Sequence, residues 1–197
     1  MVDCIVPIVE GHGEVSAVPV LIRRIAAAVD PTRFVAVGKP IRVPKDRLLK
    51  PNELERTLQL AMSKAGRAGG VLILLDCDDD CPAIAAPAIL SRASIARPDT
   101  LIAVVMAKCE FENWFIAAAE SLAGHRDLFA DLTAPPSPED VRGAKEWLSD
   151  RMPRGRTYSE SRDQAALAGR FNIDVARKAD SFDKFFREIE RLLRLSD

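Results

Sequence analysis

Residues 71–80, VLILLDCDDD, constrain this chain more than any other stretch, because an uninterrupted apolar run stops at a knot of carboxylates. The run is too short for a free-standing helix and reads as a strand buried on both faces of a sheet. Residues i and i+2 of an extended chain share a face, so Asp76, Asp78 and Asp80 are expected to project together where the strand ends. Carboxylates held close raise one another's pKa unless a cation neutralises them, and clustered oxygens suit Mg²⁺, Mn²⁺ or Ca²⁺. A solvated acidic loop has the same composition, so the remaining strand ends carry the decision.

The first apolar run, Val2 to Val9, ends in Glu10 and a Gly11-His12-Gly13 turn. From Glu14 to Val29 the apolar residues recur at helical spacing, with Pro19 suggesting a start one turn later. A short strand is expected over Phe34–Gly38, then a polar loop to Pro51 carrying Lys39, Arg42, Lys45, Arg47 and Lys50. Pro51 and Asn52 suit the start of a helix running to Arg67. Pro82 to Ser94 reads as a modest helix, Thr100 to Ala107 as another buried strand, and Trp114 to Leu122 as helical. Strands alternating with helices imply right-handed crossovers and a largely parallel sheet.

After residue 133 the proline-rich stretch 134–138 reads as a linker. A helix through Val141, Ala144, Trp147 and Leu148 follows. The last helix places Phe182, Phe185, Phe186, Ile189, Leu192 and Leu193 on one face, with Ser181 as its N-cap. The expected organisation is an α/β core over residues 1–133 and a helical C-terminal extension, 134–197, packing on it. Trp114 and Trp147 sit at core spacing and read as structural.

With 48% apolar residues the chain can bury a sizeable core, and its net charge of −1 gives no global attraction to nucleic acid or membrane. A polyanionic partner must therefore meet a local basic patch. No apolar stretch approaches the roughly 20 residues a bilayer span needs. No secretory signal is evident and Cys4, Cys77, Cys81 and Cys109 lack zinc spacing, so a cytoplasmic protein with reduced thiols is expected.

In a parallel sheet the ligand crevice lies at the carboxyl ends of the strands. Glu10, Asp76 with Asp78, and Glu110 with Glu112 all follow strands and so face one rim, which favours a metal-binding site over a solvated loop. A calcium loop starting at Asp76 fails, since Cys81 stands where glycine is needed and Pro87 where a bidentate Glu belongs. A dinucleotide fingerprint at Gly11 fails too, because Glu10 and Glu14 would flank the pyrophosphate. A phosphoacceptor pocket of Glu10, Asp76 and Lys108 has the multiplicity of its acids reversed.

Glu10-Gly11 after the first strand and Asp76-x-Asp78 after a later one resemble a Toprim domain, the catalytic fold of topoisomerases, primases and overcoming-lysogenization-defect nucleases. Residues 7–14 (PIVEGHGE), 75–82 (LDCDDDCP) and 110–115 (EFENWF) more closely resemble a bacterial family called domain of unknown function 4276. The likeness extends to Tyr158, Asp163-Gln164 and Ser181-Phe182. It implies a Toprim-like (Rossmann-like), mainly parallel sheet flanked by helices. The activity implied is a Mg²⁺- or Mn²⁺-dependent nuclease cutting DNA or RNA, in defence against phage or mobile DNA. By position Glu10 would be general acid/base or first metal ligand, Asp76 and Asp78 the metal pair, and Glu14 and Glu112 ligands of a second metal. Lys45, Arg47, Arg154 and Arg156 are the candidate nucleic-acid contacts. The alternative is a non-catalytic Toprim-shaped subunit acting with an ATPase partner. A homodimer is compatible with either, and no membrane association is expected.

Overall fold

A computed structural model describes residues 2–66 and 68–194. In chain order the elements begin with β1 (Cys4–Val9), α1 (Glu14–Val29), β2 (Ala36–Val37), β3 (Ile41–Arg42), α2 (Lys45–Leu48) and α3 (Glu53–Ala65). β4 (Gly69–Asp76), α4 (Pro82–Ala96), β5 (Leu101–Ala107) and α5 (Asn113–Ala117) complete the alternating part. The remainder is α6 (Ala144–Ser149), α7 (Ala165–Ala168), α8 (Ile173–Ala176) and α9 (Asp180–Arg194), with a π-helical turn at Glu160–Gln164.

The fold is α/β. Among the described residues five parallel strands form one sheet, ordered β2-β1-β4-β5, with β3 pairing on β1 beyond β2. The pleat divides the apolar residues between two cores. Ile5, Val9, Leu72, Leu74, Ala103 and Val105 face α1, α5 and α9. Val6, Ile8, Val71, Ile73, Leu75, Val104 and Met106 face α3 and α4. Both faces of β4 are therefore covered, which is why its sequence is continuously apolar rather than alternating.

Several local expectations change. The strand expected over residues 34–38 survives as β2 alone, and the following loop contains β3 and the short α2. α1 starts at Glu14 in spite of Pro19, which is its sixth residue. Pro82 occupies the first turn of α4, where a missing N–H costs nothing, and α4 runs for 15 residues through Pro87. Asn52 starts α3 by adopting φ 65°, with no side-chain cap; asparagine tolerates that left-handed backbone better than most residues. The expected helix end at Arg67 lies outside the described residues, as does the stretch 195–197 of the expected C-terminal extension. α5 is short, and a 3₁₀ turn at Ala119–Leu122 replaces its expected continuation.

Ser181 is inside α9 rather than capping it. Its hydroxyl accepts from Trp114 Nε1 at 2.8 Å and Lys108 N at 3.2 Å, and donates to the buried Glu139 carboxylate. The proline-rich stretch thus leads into a docked segment. Among the described residues no helix is long and apolar enough to cross a membrane.

Candidate functional site

The pleat of β4 decides where Asp76 points. It follows Leu72 and Leu74, so its carboxylate turns to the face covered by α1 and α5. Its Oδ1 accepts from Phe111 N at 2.8 Å, tying the strand end to the turn before α5. On the same face α1 begins with the buried Glu14, and the turn before α5 carries the buried Glu112. β1 lies beside β4 and delivers Glu10 to the same rim.

Glu14 reaches back along its own turn, so that Glu10 N donates to its Oε2 at 3.0 Å. Glu10 Oε1 accepts from Lys45 N at 3.1 Å, while Glu10 Oε2 is buried with no partner. Glu112 Oε1 accepts from Tyr158 Oη at 2.8 Å and from Gln164 Nε2 at 2.9 Å. Gln164 Oε1 is likewise buried without a partner. It lies so close to Gly13 that a Cβ there would stand 2.2 Å from it, which accounts for glycine at the mouth of α1. Both orphans are acceptors, and a buried acceptor left unpaired costs about 1–3 kcal/mol.

Burial pushes Asp76 well above the usual carboxylate range, and the negative charges of Glu14 and Glu112 push it further. Burial also raises Glu14 to about 7, with Glu112 and Glu10 adding to the effect against two backbone N–H donors. Glu112 is raised for the same first reason, partly offset by Lys145 and Tyr158. Lys145, from α6, is the ammonium that approaches these acids, at 2.8 Å from Glu160, 3.5 Å from Glu110 and 4.0 Å from Glu112. Burial opposes its charge, but those neighbours outweigh burial and hold it protonated. His12, Lys145, Tyr158 and Glu160 line an open cleft of about 460 Å³, from which Lys145 and Tyr158 reach Glu112.

Glu10, Glu14, Asp76 and Glu112 are thus brought into electrostatic contact. Asp78 is not. The chain leaves the strand direction after Asp76, Asp78 adopts φ 52°, and the alternation that would align it with Asp76 ends. Its exposed carboxylate instead lies 2.6 Å from Lys45 Nζ, which also reaches Asp80 at 3.5 Å and the Asp76 carbonyl at 3.0 Å. Among the described residues no three His, Cys, Asp or Glu side chains stand close enough together to hold a metal ion.

The basic candidates separate as well. Lys45 is committed to the acidic turn and Arg47 pairs with Glu53 at 3.1 Å. Arg156 is an internal strut, bonded to Asp127 and the buried Asp163, whereas Arg154 is exposed. Exposed cations beside the rim are Arg42, whose Nη1 donates to the Glu10 carbonyl, and Arg142, paired with Asp79 at 2.7 Å. Lys145, Arg142 and the roles of Tyr158 and Gln164 escape a reading by strand ends, since they come from segments without strand periodicity. The Gly-x-Gly turn was the available signal that another side chain presses on the mouth of α1.

No curated protein and no solved structure matches the chain. A family profile described as Domain of unknown function (DUF4276) matches residues 9–190, a span holding every acid of the cleft and the segments that support them. The chain belongs to the DUF4276 family.

Proposed function

We propose that this chain is a metal-dependent nuclease of Toprim-like type, hydrolysing phosphodiester bonds at the cleft above Glu10, Glu14, Asp76 and Glu112. The observation that carries the reading is the surplus of acceptors. Two buried oxygens, Glu10 Oε2 and Gln164 Oε1, the latter against Gly13 at the mouth of α1, are orphaned in a region whose acids Glu14, Asp76 and Glu112 have raised pKa values. Carboxylate and amide oxygens are hard donors, the chemistry that suits Mg²⁺ or Mn²⁺. The side chains are not at ligand spacing as they stand, so binding would draw them together. Glu10, Glu14, Asp76 and Glu112 would hold the cation, which when bound supplies positive charge to polarise a phosphoryl oxygen and acidify water.

The chain's own groups do the rest. Lys145 stands at the cleft wall, where its ammonium would meet a phosphate entering past His12. Tyr158 and Gln164 fix the orientation of Glu112 by donating to it. Arg42 and Arg142 flank the rim as contacts for a polyanionic backbone.

The test is cleavage of labelled single- and double-stranded DNA and RNA by pure protein with Mg²⁺, Mn²⁺, Ca²⁺ or chelator. Cleavage with Mg²⁺ or Mn²⁺ that vanishes in chelator and in Asp76→Asn supports the reading. Cleavage that persists in Asp76→Asn, or no detectable cation binding by calorimetry, overturns it. The latch of Lys45 on Asp78 favours a second reading, in which a partner such as an ATPase must release Asp78 before the site closes. Turnover only after a partner is added distinguishes that case.

A further inference from the structure

Helix α4 carries apolar residues on every side, yet within one chain Ile89 and Ala93 are its buried members. A helix with this composition belongs between two packed surfaces. Its inner surface lies on β5. Its outer surface presents Ile84, 73% exposed, and Ile95, 80% exposed, with the exposed Ala88 and Ser91 between them. The spacing along this stripe is four, three, four, the seam of a helix that packs on another helix.

The stripe reads the same in both directions. Ile, small, small, Ile is centred between Ile89 and Leu90, so an antiparallel copy of α4 would set Ile84 against Ile95 and Ala88 against Ser91. A two-fold contact requires that self-complementarity, because residue i must meet j while j meets i. Charge does not oppose the pairing. Arg92, the charged residue of α4, is turned away to the Glu55 carboxylate and to the carbonyls of Leu49 and Lys50. A depression of about 340 Å³ between α3 and α4 is lined by Ala88, Ser91, Ile95 and Ala96 together with the paired Glu55 and Arg92, and its apolar side offers a socket for the incoming Ile84.

We propose that two copies of this chain form a homodimer through antiparallel packing of α4, with Ile84 of each copy seated beside Ile95 of the other. The inference is independent of the reaction at the cleft. It has a consequence for that cleft, however. α4 begins directly after the acidic turn, so the two-fold sets the two helix N-termini about 22 Å apart at opposite ends of the pair. The two acidic turns, with the Asp76 that precedes each, therefore lie at opposite ends of the helix pair.

Sedimentation equilibrium of the full chain, carried to about 100 µM, tests the proposal. Wild type is expected at twice 21.6 kDa. Ile84→Glu and Ile95→Lys, both at exposed positions, are each expected to keep native circular dichroism and to weaken association at least about 100-fold, since each buries two unpaired charges per dimer. Mixing the two variants places the introduced carboxylate of one beside the introduced ammonium of the other in one half of the interface, and is expected to restore the dimer. A monomeric wild type overturns the proposal, including the case in which a different protein covers α4. So does a dimer indifferent to both substitutions, or a mixture that fails to reassociate.

Discussion

Asp76 and Glu14 hold carboxyls in surroundings that disfavour their charged form, and single substitutions should reveal this as a gain in stability. Asp76→Asn keeps an oxygen for Phe111 N while removing a carboxyl whose ionised form burial, Glu14 and Glu112 disfavour. In chelator it is expected to stabilise the protein by about 1–3 kcal/mol, raising the thermal midpoint by about 2–4 °C per kcal/mol. Mg²⁺ should raise the midpoint of wild type and leave the variant unmoved. A variant less stable than wild type in chelator would mean that Asp76 is held by favourable partners instead. Glu14 makes the same argument in pH. Its carboxyl is raised from 4.5 to about 7 in the folded chain, so the folded state binds the extra proton between those values. The stability from this proton is complete below pH 4.5 and is lost as pH rises through 7, amounting to about 3 kcal/mol. Chemical denaturation of the metal-free protein across that window should show the decline, and Glu14→Gln should make it shallower while the raised Asp76 and Glu112 keep a part of it.

At this scale the sequence was legible where a side chain's direction follows from the strand it leaves. Glu10, Asp76 and Glu112 all stand on the rim that their strand ends imply. Asp78 escaped the same rule because one left-handed residue cancels the alternation, and nothing in an Asp-Cys-Asp string announces which residue will turn.

Among the elements, α9 and α2 show how the site is held from outside. The Ser181 hydroxyl joins Trp114 of α5, Lys108 after β5 and Glu139 of the docked segment at one buried point. Ser181→Ala leaves the indole N–H and one Glu139 oxygen without that partner, and is expected to cost about 2 kcal/mol. A fall of about 4–8 °C in the thermal midpoint would record it, while a loss below a degree would show that water replaces the hydroxyl. Lys45 links α2 to the exit of β4 through Asp78, Asp80 and the Asp76 carbonyl. Burial works against its charge, and the two acids outweigh burial. Lys45→Ala should cost only about 1 kcal/mol, since Asp78 and Asp80 are exposed. It should speed amide exchange across residues 77–81, and unchanged exchange there would remove the latch from the description. Composition misled at this level for a physical reason. Small residues and the proline at position 87 made α4 look weak, but its inner face is fixed by β5. The β2 and β3 pairings were illegible because two residues are too few to establish a period.

At the scale of the whole molecule, the α/β core leans on the C-terminal segment. The core on the α1 side of the sheet is built from both parts of the chain. Trp114 lies 5.2 Å from Phe182 and 4.9 Å from Phe185 between ring centroids, and Phe115 lies 5.7 Å from Phe171. Arg24 of α1 donates to the carbonyls of Ala168 and Phe171, and Arg191 of α9 donates to the Ile102 carbonyl on β5. The C-terminal segment also supplies Lys145, Tyr158 and Gln164 to the cleft. Removing residues 134–197 would expose Phe111, Trp114 and Phe115 together, leave Glu112 without its hydrogen-bond donors, and uncover one face of β5. Burying each such aromatic side chain contributes about 1.5–3 kcal/mol, and whole domains are stable by only about 5–15 kcal/mol. A chain of residues 1–133 is therefore expected to lose cooperative unfolding and near-ultraviolet circular dichroism while keeping part of its far-ultraviolet signal. A sharp, cooperative thermal transition of that fragment would show that the sheet with α1 to α5 is an independent unit, and that residues 134–197 act only as a cover over the cleft.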